Sequence, residues 1–62
     1  MATNIDHAAY QAKVKTMTEA ELRFTINDAQ EALKANPEGH KAGYYADEIC
    51  YCGDELVRRG LA

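Results

Sequence analysis

The residues with the clearest chemical potential are two cysteines separated by one tyrosine, within the stretch GYYADEICYCGDEL at residues 43–56. Cysteine thiolates bind zinc and carry out redox chemistry. A structural zinc site takes about four ligands, and the two histidines, His7 and His40, lie at no metal-site spacing from the cysteines. A redox pair normally has two residues between its cysteines. The spacing therefore predicts reduced, buried or half-buried thiols, and no metal or cofactor.

Other catalytic arrangements are not visible in the sequence. The chain contains no serine, which excludes a serine nucleophile, and it has no glycine-rich phosphate-binding loop. The adjacent acids Asp47-Glu48 and Asp54-Glu55 are typical of a solvated helix surface. We therefore predict that the protein is not an enzyme.

The length and charge of the chain limit the kinds of protein that it can be. A chain of 62 residues forms one small domain, residues 1–62, which buries only about 60% of its unfolded surface and so favours self-association. Ten acidic residues outnumber seven basic ones, whereas a free-standing nucleic-acid binder usually carries a basic patch. The sequence shows no signal peptide and no apolar run of about 18 residues. We expect a cytoplasmic protein that does not enter a membrane.

The first long helix has clear boundary signals. Thr18 and Glu21 match a capping box, in which a hydroxyl and a carboxylate each bond an otherwise unpaired backbone amide. Thr16 and Glu19 fit the same pattern two residues earlier. Pro37 ends the helix because it restricts the preceding Asn36 to non-helical conformations. A helix over residues 18–35 follows.

The second long helix is predicted over about residues 38–59, with its start between Glu38 and Ala42 and with Gly60 as its C-terminal stop. The short connection between the two helices predicts an antiparallel hairpin. A shorter N-terminal helix is predicted over about residues 4–15, capped by Asn4 or Asp6. The predicted fold class is therefore all-α, since no strand pattern is visible.

Helical periodicity predicts which residues of the two long helices face the core. On the first long helix the apolar stripe contains Leu22, Ile26 and Leu33. On the second, one face within about 60° of a single line holds Ala42, Ala46, Ile49, Gly53, Leu56 and Val57. Cys50 and Cys52 fall on opposite flanks of this face. Gly53 predicts a close approach of two helix backbones, with an exposed, tolerated glycine as the alternative.

Three aromatic residues lie off these packing faces. Tyr44 and Tyr51 share the opposite side of the second helix with several charged residues, and Phe24 lies far from the stripe of its own helix. Either the N-terminal helix or another subunit covers these rings. Aromatic residues with a charged rim are typical of protein-binding surfaces. The candidate interface comprises Phe24, Tyr44, Asp47, Glu48, Tyr51 and Arg58.

A family resemblance is carried by residues 22–60, about two-thirds of the chain. The matching elements are Asp28-Ala29 with Glu31-Ala32, the Asn36-Pro37 turn, Lys41-Ala42-Gly43, Tyr45, Asp47-Glu48-Ile49, Tyr51-Cys52, and Glu55-Leu56 with Arg58-Arg59. This string resembles small uncharacterised helical proteins of tailed bacteriophages, especially those of marine bacteria. The first 17 residues do not take part. The resemblance implies a phage accessory protein in an infected bacterial cell and assigns no site residues.

Three functions fit these observations. The first is a non-catalytic protein-interaction module that binds and modulates a host or phage protein and also forms a homo-oligomer. The second is a nucleic-acid-associated role, either direct binding or inhibition of a nucleic-acid enzyme by the acidic surface. Direct binding would use Lys13, Lys15, Arg23, Arg58 and Arg59. The third is a minor structural role in the virion.

Overall fold

The computed structural model of the chain describes residues 6–62. It contains α1 (His7–Thr16), α2 (Glu19–Ala35) and α3 (Ala42–Arg58), and residues 6–62 form no strand. The predicted all-α fold is confirmed, and the two long helices pack closely against each other. They run antiparallel, because Arg23 near the start of α2 donates a hydrogen bond of 3.0 Å to the carbonyl of Leu61 beyond the end of α3.

The predicted boundaries of α2 are confirmed to within one residue. The Glu21 amide donates to the Thr18 hydroxyl at 3.1 Å, and the Thr18 amide donates to the Glu21 carboxylate at 2.8 Å. Both halves of the capping box are therefore formed. The helix ends at Ala35, directly before the Asn36-Pro37 pair.

α3 begins at Ala42, at the late end of the predicted range of starts. The Gly39 amide donates to the Asn36 carbonyl at 3.1 Å, and the Ala42 amide donates to the Gly39 carbonyl at 3.2 Å. These bonds span three residues, so residues 37–41 form tight turns instead of α-helix. The first four-residue bond of α3 runs from the Tyr45 amide to the Lys41 carbonyl at 2.9 Å.

Gly60 ends α3 as predicted, through a Schellman motif. Its φ angle of 77° lies in the left-handed region, which favours glycine. The Gly60 amide donates to the Val57 carbonyl and the Leu61 amide to the Leu56 carbonyl, both at 2.9 Å. The carbonyls of Leu56 and Val57 in the last turn of the helix thereby accept hydrogen bonds.

α1 runs alongside α3 in the same direction. Asp6 caps its start by accepting a hydrogen bond of 3.2 Å from the Ala9 amide. His7 at this end lies beside Tyr51, and Met17 at the other end lies beside Arg59. The alternative cap, Asn4, and the predicted helical start lie outside the described residues.

The core sits where the three helices meet. Leu22 and Leu56, both predicted to pack, are almost completely buried, whereas Ile26, Leu33 and Ile49 are half-buried. Half-buried Met17, Ile26, Tyr44 and Tyr51 surround the central cluster. The buried hydrophobic residues are Tyr10, Val14, Leu22, Ala29, Cys52 and Leu56. Each helix therefore contributes to a single core.

The predicted packing face of α3 is wrong by about a quarter turn of the helix. Ala46 is exposed, Val57 is 61% exposed, and a Cβ added to Gly53 would meet no atom within 4 Å. The predicted close approach at Gly53 is therefore not formed among residues 6–62. The buried face contains Cys52 and Glu55 with Leu56. The charge of Glu55 predicts a solvent-exposed side chain, but hydrogen bonds from Arg58 and Arg59 allow it to be buried.

The adjacent residues Leu56 and Val57 test this orientation of α3. Leu56→Ala should lower the free energy of unfolding by about 2–5 kcal/mol, because it leaves a cavity in the core. Val57→Ala should change it by less than about 0.5 kcal/mol, since the side chain is largely exposed. Urea unfolding of both variants measures the difference. Equal losses would contradict the orientation.

Candidate interaction site

The two cysteine thiols point to different environments, as their helical spacing predicts. Cys52 is fully buried, with its sulfur 3.9 Å from the Tyr10 hydroxyl, whereas Cys50 is exposed and donates to Asp54 at 3.8 Å. Burial raises the pKa of the Cys52 thiol. Across residues 6–62, no three metal-ligating side chains gather at one point. The thiols therefore act as two separate groups.

Tyr10 joins α1 to α3 through both its ring and its hydroxyl. The hydroxyl donates to the Glu48 carboxylate at 2.8 Å. The ring centroid lies 5.9 Å from that of Tyr51, and the Lys13 ammonium lies 5.3 Å from the Tyr10 centroid. Burial, followed by the bond to Glu48, raises the pKa of Tyr10 well above its ordinary value. Tyr10 therefore remains a neutral hydrogen-bond donor.

The N-terminal helix covers Tyr51, which is one of the two alternatives predicted for the aromatic residues. His7 packs edge-on against the Tyr51 ring with centroids 5.5 Å apart, and its Nδ1 hydrogen-bonds the Tyr51 hydroxyl. Tyr51 remains half-buried, so part of its ring faces solvent. Burial, followed by the charge of Asp47, raises the pKa of Tyr51.

The other predicted interface residues lie in different places. Tyr44 is half-buried against the core and packs edge-on against Tyr45 at 6.1 Å between centroids. Asp47 is half-buried, and Glu48 is occupied by Tyr10. Phe24 is 70% exposed, and α1 does not cover it. The six predicted residues therefore do not form one surface.

Glu55 is buried, which corrects the expectation that the Asp54-Glu55 pair is solvated. It accepts hydrogen bonds from Arg58 at 2.9 and 2.5 Å and from Arg59 at 2.7 Å. The bonds from Arg58 and then Arg59 lower the pKa of the Glu55 carboxyl to about 2. Its negative charge is therefore retained inside the domain.

Arg59 has a role that the sequence did not indicate. Its guanidinium donates to the carbonyls of Val14 at 3.1 Å, Lys15 at 3.3 Å and Met17 at 2.7 Å. These carbonyls belong to the end of α1 and the link to α2, where carbonyls lack amides of a following helical turn; the Val14 carbonyl also accepts from the Met17 amide at 3.2 Å. Arg59 thereby fastens the end of α1 to α3. The only sequence signal was its spacing of four residues from Glu55.

α1 and α3 form a groove along their shared edge, which we call the α1–α3 groove. It brings together Tyr51 and Arg58, two of the predicted interface residues. Charges of both signs border it, Lys15 on α1 and the exposed Asp54 on α3. The complete lining is Gln11, Val14, Lys15, Tyr51, Asp54, Glu55 and Arg58. Such a surface can pair with charged and apolar side chains of a protein.

The basic residues considered for nucleic-acid binding are partly occupied within the domain. Arg23 bonds Glu19 and the Leu61 carbonyl, Arg58 bonds Glu55, and Arg59 bonds Glu55 and α1. Three of the five named basic residues are therefore engaged in hydrogen bonds within the domain, and Lys15 is exposed at the α1–α3 groove.

Comparison with protein-family models, curated proteins and solved structures found no match for this chain. The resemblance to phage proteins accordingly stays a prediction. Within residues 6–62, no helix is both long enough and apolar enough to cross a membrane.

The two cysteines should differ sharply in reactivity. Iodoacetamide should label the exposed Cys50 in the folded protein and label Cys52 only after denaturation, because burial shields its thiol and raises its pKa. Mass spectrometry of peptides from native and denatured samples measures both sites. Rapid native labelling of Cys52 would contradict its burial.

Glu55 should make stability depend on acid pH. Its folded pKa of about 2 lies below the ordinary value of 4.5, so its contribution is complete above 4.5 and is lost as pH falls towards 2. Glu55→Gln should flatten the decline of the unfolding free energy across this window. Urea unfolding at a series of pH values tests this. Glu31→Gln, at an exposed ion pair with Lys34, is the control and should leave the decline unchanged.

Proposed function

We propose that this protein is a non-catalytic interaction module, a phage accessory protein that binds and modulates a host or phage protein in the infected bacterial cytoplasm. The α1–α3 groove is its binding site. The observation that carries the proposal is the meeting of half-buried Tyr51 with Arg58, whose side chain is 61% exposed, in one groove between two helices.

The residue types support a protein partner. Tyrosine and arginine dominate the binding energy of protein interfaces, because each combines a large contact area with hydrogen-bonding groups. Here the Tyr51 ring is held by His7 and Tyr10, and the Arg58 guanidinium is oriented by Glu55. Both side chains are thus fixed before a partner arrives, which reduces the entropy lost on binding.

The charges at the groove support selection among partners. Lys15 on α1 and Asp54 on α3 border the same groove with opposite signs. A partner with a complementary pair of charges gains in association rate and in orientation, and a partner with reversed charges is repelled. The acidic overall balance of the chain, at a net charge of −3, favours a partner with a basic contact surface.

A capture experiment with matched charge variants tests the proposal. Tagged protein is incubated with bacterial lysate, and the bound proteins are identified by mass spectrometry. Lys15→Glu should lower recovery of the specific partner at least about tenfold, the equivalent of about 1.4 kcal/mol. Lys34→Glu should leave recovery unchanged, because Lys34 is also an exposed lysine in the last turn of a helix but lies outside the groove.

The purified partner then allows the same comparison by titration calorimetry. Asp54→Lys should weaken binding as Lys15→Glu does, since both reverse a charge at the groove. Equal capture by the wild type, Lys15→Glu and Asp54→Lys would contradict the assignment of the groove. Failure to capture any specific protein would contradict the proposed function itself.

A further inference from the structure

A separate apolar groove lies between α1 and the first turns of α2, and we call it the Phe24 groove. Phe24 is the most exposed large hydrophobic residue among those described, at 70%. Half-buried Met17 and Thr25 lie beside it. The complete lining is Lys13, Met17, Ala20, Glu21, Phe24 and Thr25. No residue of the α1–α3 groove belongs to it.

The Phe24 groove contains the residue types that pairing with an identical copy requires. It presents a projecting aromatic ring together with apolar walls that can receive such a ring, and it carries one cation and one anion, Lys13 and Glu21. In a two-fold symmetric dimer each surface meets an identical copy, so residue i of one chain contacts residue j of the other and the reverse. Both the ring and the charges then find complementary partners without any second kind of protein.

We propose that a second copy of this chain occupies the Phe24 groove and forms a two-fold symmetric dimer. The Phe24 ring of each chain packs against Met17 and Ala20 of the other. Lys13 of each chain faces Glu21 of the other. Glu21 keeps one carboxylate oxygen on the Thr18 amide as part of the capping box, and its second oxygen accepts from the partner's lysine.

The size of the chain supports a dimer at this surface. The hydrophobic core within residues 6–62 consists of six buried residues, and small domains commonly gain stability through association. Phenylalanine is among the residues that bury the largest apolar area at an interface. The dimer leaves the α1–α3 groove free on each chain, so the assembly offers two copies of the proposed binding site.

Analytical ultracentrifugation over a wide range of protein concentration tests the dimer. The wild type should show reversible dimerisation, and Phe24→Asp should raise the dissociation constant at least about tenfold by placing a charge in the apolar contact. Val57→Asp is the matched control, because Val57 is also an exposed hydrophobic residue, at 61%, but lies on α3 outside the groove. It should leave the dissociation constant unchanged.

Reversal of the two charges tests the symmetry. Lys13→Glu alone sets like charges against Glu21 of the second copy, and Glu21→Lys alone sets like charges against its Lys13. Each variant should be monomeric, and a mixture of the two should form a heterodimer because both charge pairs are then restored. Circular dichroism verifies that Glu21→Lys, which loses half of the capping box, remains helical. Glu21→Gln provides a second variant, because its side-chain oxygen can still accept from the Thr18 amide in the capping box. It should weaken the dimer less than Glu21→Lys.

Several results would overturn the dimer. These are a wild type that stays monomeric at every concentration, equal effects of Phe24→Asp and Val57→Asp, or a charge-variant mixture that stays monomeric. Lys15→Glu, which disables the proposed partner site, should dimerise normally, so failure of the dimer and failure of the proposed function are distinguishable.

Discussion

The guanidinium of Arg59 joins the end of α1 to α3, and the position of α1 depends on this contact. It bonds the buried carboxylate of Glu55 at 2.7 Å on its own helix and the carbonyls of Val14 and Met17, at 3.1 and 2.7 Å, at the end of α1. α1 supplies only two buried residues to the core, Tyr10 and Val14. Its position therefore depends on polar bonds near each end, Tyr10 to Glu48 and the terminal carbonyls to Arg59.

Both proposed surfaces depend on that position of α1. One side of the helix forms the α1–α3 groove with Tyr51 and Arg58, and the other forms the Phe24 groove with α2. The α2–α3 hairpin alone would offer neither groove. A short helix held by the Arg59 guanidinium thus allows a chain of 62 residues to present two different surfaces, one proposed for a partner protein and one for a second copy.

The orientation of α3 shows how charge can mislead sequence analysis. A helical wheel that counts only apolar residues places Ala46, Gly53 and Val57 towards the core, yet in the structure Ala46 and Val57 are exposed. The buried side carries Glu55, whose burial is compensated by hydrogen bonds from Arg58 and Arg59. A buried carboxylate is stable only when such partners satisfy it. The four-residue spacing from Glu55 to Arg59 is visible in the sequence, but such a spacing by itself indicates only an ion pair on a helix surface.

The sequence by itself determined the features that depend on neighbouring residues. These are the capping box of Thr18 and Glu21, the end of α2 before Pro37, and the stop of α3 at Gly60. Each arises from hydrogen bonds or backbone restrictions within a few positions of the chain. Only the tertiary structure decided that α1 covers Tyr51 and leaves Phe24 exposed. That outcome depends on groups more than 40 positions apart, such as Tyr10 with Cys52 and Arg59 with Met17, which no local pattern brings together.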